Sequence, residues 1–146
     1  MLKEQLLQDM KDAMKQKDTI RKNTVQLIRS GILQVEKDDK TELDDEGVLD
    51  VIVKELKKRR DSLPDFEKSG REDLVEALNE EIKVLLGYLP EQLSPEEIKT
   101  IVTDAISETD AKTMKDMGRV MAIVNPKVKG RADGKAVSQM VKEYLQ

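Results

Sequence analysis

Apolar residues recur every three or four positions along most of this chain, which is the spacing of amphipathic α-helices rather than of strands. In the first part of the chain the apolar stripes begin at Leu2, Ile20, Val48 and Leu74. Asp18 or Thr19 precedes the second stripe and is suited to cap a helix. Asp44 or Asp45 stands in the same place before the third. We therefore predict four helices here, with the acidic stretch 37–45 as a loop.

Proline and glycine divide these predicted helices. Pro64 lies inside the third stripe and removes a backbone donor, so we expect a kink or a break near it. The third helix should end by Gly70, and Gly87 should stop the fourth. Pro90 disfavours a helical conformation at the residue before it. Gly87, Tyr88 and Pro90 are therefore predicted to form a hinge.

The hinge divides the chain into two predicted domains, residues 1–89 and residues 90–146. Tyr88 has two interpretations at this position. Its ring stacks on a nucleic-acid base, or it wedges the two modules together while its hydroxyl stays in water.

The first helix after the hinge has the clearest start signal in the chain. Ser94 is suited to cap it, Pro95 suits its first turn, and Glu97 stands where a capping box requires an acidic residue. A shorter helix is predicted to begin after Thr113 and a last one after Asp133.

Asn125-Pro126 is expected to end the shorter helix. The predicted fold class is thus all-α, with a larger N-terminal helical domain of about four helices and a small C-terminal three-helix domain.

The composition excludes most catalytic mechanisms. The chain has no His and no Cys, so it contains no Ser-His-Asp triad, no Cys-His pair and no disulfide. A zinc ion would have carboxylates alone as ligands, which is an unfavourable set. We therefore predict no catalytic residue, no metal site and no cofactor.

The stretch GRADGKA, residues 130–136, invites comparison with a phosphate-binding P-loop. That loop has four residues between its glycines and a Ser or Thr after its Lys. Here three residues separate Gly130 from Gly134, and Ala136 follows Lys135. Nucleotide hydrolysis is not expected.

No apolar stretch at the N-terminus resembles a secretory signal peptide, and no apolar run approaches the roughly 20 residues of a transmembrane helix. Together with the absence of Cys, this predicts a cytoplasmic protein without membrane contact.

Charge is unevenly distributed along the chain, whose net charge is −4. Residues 36–46 hold seven acidic residues against two lysines. Residues 127–135, KVKGRADGK, hold four basic residues against one acidic residue, and we call this segment the basic turn. If the protein binds RNA, the basic turn is the expected contact.

Six residues of the basic turn are candidate nucleic-acid-binding residues: Lys127, Lys129, Gly130, Arg131, Gly134 and Lys135. In one interpretation, free amides at the start of the last helix hold a backbone phosphate. In the other, Asp133 caps that helix and occupies those amides itself.

Two further clusters have more ordinary interpretations. The basic residues of 54–60 could contact phosphates, but we interpret them as a solvated helix face with i, i+4 ion pairs. Met114, Met117 and Met121 either line an adaptable partner groove or fill the core.

Four short motifs occur in order along the chain: Gly70-Arg71-x-Asp73-Leu74, Tyr88-Leu89-Pro90-x-Gln92-Leu93-Ser94, Met117-Gly118-x-Val120-Met121 and Gly130-Arg131-Ala132-Asp133-Gly134. Together they resemble the YqeY family, small bacterial proteins similar to the C-terminal tail of the B subunit (GatB) of aspartyl/glutamyl-tRNA amidotransferase. The resemblance covers essentially the whole chain. It implies an all-α fold of two helical domains and a role beside tRNA, with the GRADG turn as the contact.

The resemblance leads to a first hypothesis, a non-catalytic helical module that binds tRNA or a tRNA-handling enzyme such as an amidotransferase. The alternative is a protein–protein adaptor without RNA contact, which uses an apolar or Met-lined groove between the C-terminal helices. Carbon–nitrogen ligase activity with glutamine as amido donor is implied by the family association alone, because this chain lacks the domain for ATP-dependent and amide-dependent chemistry.

Overall fold

The computed structural model describes all 146 residues, Met1–Gln146, and its regular structure is entirely helical. This confirms the predicted all-α fold class. The seven α-helices are α1 (Leu2–Lys15), α2 (Thr19–Asp39), α3 (Asp45–Lys68), α4 (Glu72–Leu86), α5 (Pro95–Thr109), α6 (Met117–Val128) and α7 (Gly134–Leu145). A short 3₁₀ turn, Met114–Asp116, leads directly into α6.

Contacts divide the chain into two compact units, Met1–Leu89 and Pro90–Gln146. The first unit buries one aliphatic core, built around Leu6, Val25, Ile28, Ile52 and Leu85. The second buries another, built around Val102, Val120, Val124, Val137 and Val141. That the two units are separate folding domains stays a prediction.

The second helix is longer than its sequence pattern predicts. Asp18 caps it by accepting a hydrogen bond from the backbone nitrogen of Arg21 at 3.1 Å. The helix continues to Asp39 and ends at Lys40, whose φ of 54° is left-handed. The prediction of a loop over 37–45 is therefore wrong for its first three residues. Glu36 stabilises this last turn, because its carboxylate accepts a hydrogen bond from the backbone nitrogen of Leu43 at 2.8 Å.

Neither of the two internal prolines ends its helix, and a kink near Pro64 stays a prediction. The third helix passes through Pro64 without a break and ends before Gly70, which has a φ of +72°. The sixth helix continues two residues beyond Pro126 to Val128, so the predicted end at Asn125-Pro126 is wrong. Both prolines are exposed, and the carbonyls that lose their backbone donor can bond water instead.

The predicted helix starts of the second unit are confirmed. The Ser94 hydroxyl accepts from the backbone nitrogen of Glu97 at 3.2 Å, and the Glu97 carboxylate accepts from the backbone nitrogen of Ser94 at 3.1 Å. These bonds lower the pKa of Glu97. A second box joins Thr113 and Asp116. Backbone donation from Lys112, a hydrogen bond from the Arg119 side chain and backbone donation from Thr113 lower the pKa of Asp116 to about 2.

None of the seven helices combines the length and the apolar character that crossing a membrane requires.

Candidate nucleic-acid interface

The basic turn reverses the chain tightly between α6 and α7. Val128 is buried and ends α6. Its carbonyl accepts from the backbone nitrogens of Arg131 at 2.8 Å and Ala132 at 3.1 Å, which closes the helix end. Gly130 has a φ of +74°, a left-handed conformation that Gly adopts without steric cost. The turn is thus a defined structure.

Residues 91–93 hold the outside of the basic turn, and we call them the clasp. The side-chain nitrogen of Gln92 donates to the Gly130 carbonyl at 2.8 Å and to the Pro90 carbonyl at 3.0 Å. The backbone nitrogen of Leu93 donates to the Arg131 carbonyl at 2.8 Å. Two of the four motifs that carry the family resemblance therefore touch each other, which sequence spacing alone did not reveal.

Arg131 lies half-buried at the centre of this contact. Its Nε donates to the Glu91 carbonyl at 3.3 Å. Its two terminal guanidinium nitrogens have no hydrogen-bond partner. Their charge reaches Glu97, where it contributes to that group's lowered pKa. The edge of the guanidinium that pairs with a carboxylate or a phosphate is therefore unoccupied.

The start of α7 has the capped geometry of the second interpretation. The Asp133 carboxylate accepts from the backbone nitrogen of Lys135 at 3.1 Å. The Asp133 carbonyl accepts from the backbone nitrogen of Val137 at 3.1 Å. A phosphate at these amides would meet the carboxylate first. The cap therefore occupies the Lys135 amide, and the side chains of the turn are the candidates for an anion contact.

The candidate side chains lie on the surface of the second unit. Lys127, Lys129 and Lys135 are exposed. The ammonium groups of Lys127 and Lys135 form no ion pair within 4.0 Å. Gly134 is also exposed, and a Cβ placed there would meet nothing within 4 Å. Whether these residues bind nucleic acid stays a prediction.

The residues predicted to form the hinge lie at the boundary between the two units. Whether Tyr88 stacks on a base or wedges the units together stays a prediction. Gly87 ends α4 with a helical φ of −62°. Tyr88 packs against the first core, and its hydroxyl donates a hydrogen bond to Asp9. The expectation that this hydroxyl stays in water is therefore wrong. Burial and the Asp9 carboxylate both raise the pKa of Tyr88 well above its usual range.

Asp9 is a buried acid that the sequence did not single out. It is 9% exposed and accepts a hydrogen bond from Gln5 at 2.8 Å. Arg21 lies 3.5 Å from the same carboxylate. The only advance signal was its place among the apolar positions of α1.

Two members of the basic cluster of α3 form ion pairs, as predicted, and one of these two is buried. Arg59 lies inside the first unit and pairs with Glu55 at 2.8 Å and with Glu81 of α4 at 3.6 Å. Lys58 pairs with Glu55 at 3.3 Å. The interpretation of a wholly solvated face is therefore wrong for Arg59.

Of the methionines singled out above, two contact the second core and one is exposed. Met117 and Met121 pack against the second core, whereas Met114 is exposed. No cluster of three or more acidic side chains is arranged to hold a metal ion.

A model of the Yqey-like protein family matches residues 3–145 of this chain. The chain belongs to the YqeY family. The expected resemblance is thereby confirmed over nearly the full length, including the basic turn and its clasp.

Fungal proteins are among the relatives of this family member. It is 32% identical over 140 residues to "Altered inheritance of mitochondria protein 41, mitochondrial" of Pyrenophora tritici-repentis, covering 94% of the chain and 77% of that protein. The protein of the same name from Kluyveromyces lactis is 46% identical over 84 residues, which cover 57% of the chain and 45% of that protein. An uncharacterized protein of Schizosaccharomyces pombe is 34% identical over 93 residues, which cover 64% of the chain and 72% of that protein.

These relatives correct two expectations. The YqeY-type relatives are fungal, so the expectation of a bacterial protein is wrong. Their names are those of mitochondrial proteins, so the expectation of a cytoplasmic location is also wrong. That expectation rested on a missing apolar leader, and mitochondrial targeting segments are amphipathic and Arg-rich instead.

Proposed function

We propose that this YqeY-family chain is a non-catalytic helical module that binds the backbone of tRNA through its basic turn. The proposal rests on the guanidinium edge of Arg131, which has no partner, is held in place by the clasp and is flanked by exposed lysines. Arg pairs with phosphate through two parallel hydrogen bonds, and neighbouring lysines add attraction without geometric demand.

The charge distribution of the second unit supports this proposal. Residues 117–146 hold six basic against two acidic residues, whereas residues 90–116 hold three basic against seven acidic residues. The net charges of the two segments are therefore +4 and −4, equal in magnitude and opposite in sign. A polyanion approaching it is attracted to the α6–α7 side and repelled from the α5 side.

Phosphate contacts of this kind fix position without reading sequence. No aromatic side chain belongs to the basic turn, so stacking on an unpaired base is not part of the proposal. We infer recognition of folded RNA by its shape and backbone charge.

The proposal is tested by measuring the affinity of the chain for purified tRNA, including a pool of mitochondrial tRNA, at several salt concentrations. Affinity should fall steeply with salt. Arg131→Ala and Lys129→Ala should each weaken binding and reduce the slope of log K against log salt by about one. Lys57→Ala removes an exposed charge of α3 and is the matched control, which should leave both quantities unchanged.

Salt-independent binding, or no binding at low ionic strength, contradicts the proposal. So does a loss of affinity in Lys57→Ala equal to that in Arg131→Ala. Circular dichroism of each variant separates a lost contact from a lost fold.

The adaptor alternative retains one specific observation. Tyr144 is 44% exposed and lines an open groove with Pro95 and Met140. A Met-lined groove has less support, because Met117 and Met121 are packed into the core. A protein partner that remains bound after nuclease treatment and is released by Tyr144→Ala, but not by Arg131→Ala, would favour the adaptor.

A further inference from the structure

A groove on the α1–α2 hairpin of the first unit takes no part in the proposed RNA contact. Leu6 and Ile32 are buried and form its floor. Leu7 and Leu33 form its walls, and Leu33 is 65% exposed. The groove encloses about 240 Å³. A large aliphatic side chain that is two-thirds exposed beside such a groove gains free energy when a partner covers it.

Contacts between the two helices fix both ends of this groove. Lys3 of α1 forms an ion pair with Glu36 of α2 at one end. At the other end the Arg29 guanidinium of α2 donates to the Met10 sulfur of α1 at 3.5 Å. The walls are therefore held before any partner arrives, which lowers the ordering cost of binding.

Each end of the groove carries one uncompensated charge, and the two charges are opposite in sign. Lys3 is compensated by Glu36, but Arg29 has no carboxylate within 4.0 Å. Lys22, which also forms no ion pair, lies seven residues before Arg29 and thus on the same face of α2, roughly 10 Å away. Glu4 is an uncompensated acid at the Lys3 end. The Arg29 end therefore attracts a carboxylate.

The apolar surface continues from the groove along α1. Met14 is 57% exposed and lies seven residues after Leu7, on the same helical face. Leu33, Leu7 and Met14 together make an apolar strip that extends beyond the groove by roughly 10 Å, about two helical turns. A strip of this length matches the apolar side of a short helix better than a single side chain.

The volume decides between a small molecule and a protein segment. Pockets that hold small-molecule ligands usually enclose roughly 300–1,000 Å³, and this groove is smaller than that range. It accommodates one or two aliphatic side chains, which is the form of an anchor pocket in a helix-in-groove complex.

We propose that the α1–α2 groove binds an acidic amphipathic helix of a partner protein. Apolar anchors of that helix enter between Leu7 and Leu33, and a carboxylate one turn away pairs with Arg29. This inference does not depend on tRNA binding, since the groove belongs to the first unit and the basic turn to the second.

Two synthetic helical peptides of about 18 residues test the proposal by NMR titration of the full chain. Both carry Leu at positions i, i+4 and i+7, and they differ only in having Glu or Lys beside that stripe. The Glu peptide should bind and shift the amide signals of α1 and α2 around Leu7, Arg29 and Leu33. Arg29→Glu should lower the affinity for the Glu peptide by a factor of about ten or more, and the Lys peptide should then bind more tightly than the Glu peptide. Leu33→Glu should abolish binding of both.

The matched control is Lys57→Glu, the same change of charge sign on the exposed side of α3, which should leave the peptide preference intact. Equal binding of the two peptides, or no shifts at the groove, overturns the proposal. A dimer seen by sedimentation and dissolved by Leu33→Glu overturns it in favour of a second copy of this chain. Binding to vesicles of anionic phospholipid that requires Leu33 overturns it in favour of a membrane surface.

Discussion

At the scale of the residue, Asp9 shows how a buried charge is accommodated in the first unit. Burying an unpaired carboxylate is costly. Here Gln5 and Tyr88 donate to it, and Arg21 supplies the opposite charge. The Tyr88 hydrogen bond joins residues 79 positions apart. It fixes the chain just after α4 onto α1, and so sets where the segment leading to Pro90 begins.

Removing the acceptor of this network should cost more than removing one donor. Asp9→Ala leaves both the Tyr88 hydroxyl and the Arg21 guanidinium without their partner, which should lower the free energy of unfolding by about 1–3 kcal/mol. Tyr88→Phe leaves Asp9 with Gln5 and Arg21, so its cost should be about 1 kcal/mol. Urea denaturation measures both. The double variant should cost less than the sum, and strict additivity would refute the coupling. Gln8→Ala, an exposed site on the same helix, is the control.

Tyr88 should also make stability depend on pH at the alkaline end. Its pKa is raised in the folded state above the usual value of 10.0, first by burial and then by Asp9. The folded state therefore retains the proton that the unfolded state loses, so stability is full below pH 10 and falls as the pH rises above it. In a Tyr144→Phe background, ultraviolet absorbance should show ionisation of Tyr88 only together with unfolding. Ionisation of Tyr88 in the intact fold near pH 10 would contradict this.

At the scale of the element, helix starts were predictable because their determinants are local. Ser94 and Glu97 satisfy each other within one turn, and Asp18 caps α2 in the same way. Helix ends were less predictable, because tertiary contacts decide them. Glu36 extends α2 through a contact with α1, and Val128 extends α6 by entering the second core.

We expect the prolines inside α3 and α6 to lower the free energy of unfolding. Pro64→Ala restores a backbone donor for the Arg60 carbonyl and a residue of high helix propensity. Pro in a helix interior costs about 3 kcal/mol of stability relative to Ala, but it also restricts the unfolded chain, which offsets part of that cost. The substitution should therefore raise the free energy of unfolding by on the order of 1 kcal/mol. Pro126→Ala in α6 is the parallel change and should act in the same direction. Thermal denaturation measures both, and a lower melting temperature in each would show that the prolines stabilise these helices.

At the scale of the molecule, charge and motif order indicated the basic turn, but not what holds it. The clasp contacts of Gln92 and Arg131 join residues 38 and 40 positions apart. No local pattern reports such pairs. The same holds for the α1–α2 groove, whose walls come from two helices that each look like ordinary amphipathic elements.

The clasp makes a prediction about the two units as separate folding domains. Each unit buries a core of its own, so residues 1–89 expressed alone should give a cooperative unfolding transition and a dispersed NMR spectrum. The second unit is short, and small domains bury too little surface to have a wide stability margin. Its fragment should therefore fold when it begins at Pro90 and lose stability when it begins at Ser94.

The shorter fragment lacks the hydrogen bonds that Glu91, Gln92 and Leu93 form with the basic turn. It also loses the packing of Leu93 on the second core. We expect a cost of about 2 kcal/mol or more from three missing hydrogen bonds and one missing aliphatic side chain. Denaturant titration of the two fragments measures the difference. Equal stability would show that the clasp does not support the turn, and an unfolded fragment 90–146 would show that the second unit is not a domain by itself. The comparison thus decides whether the segment that connects the units also completes the second one.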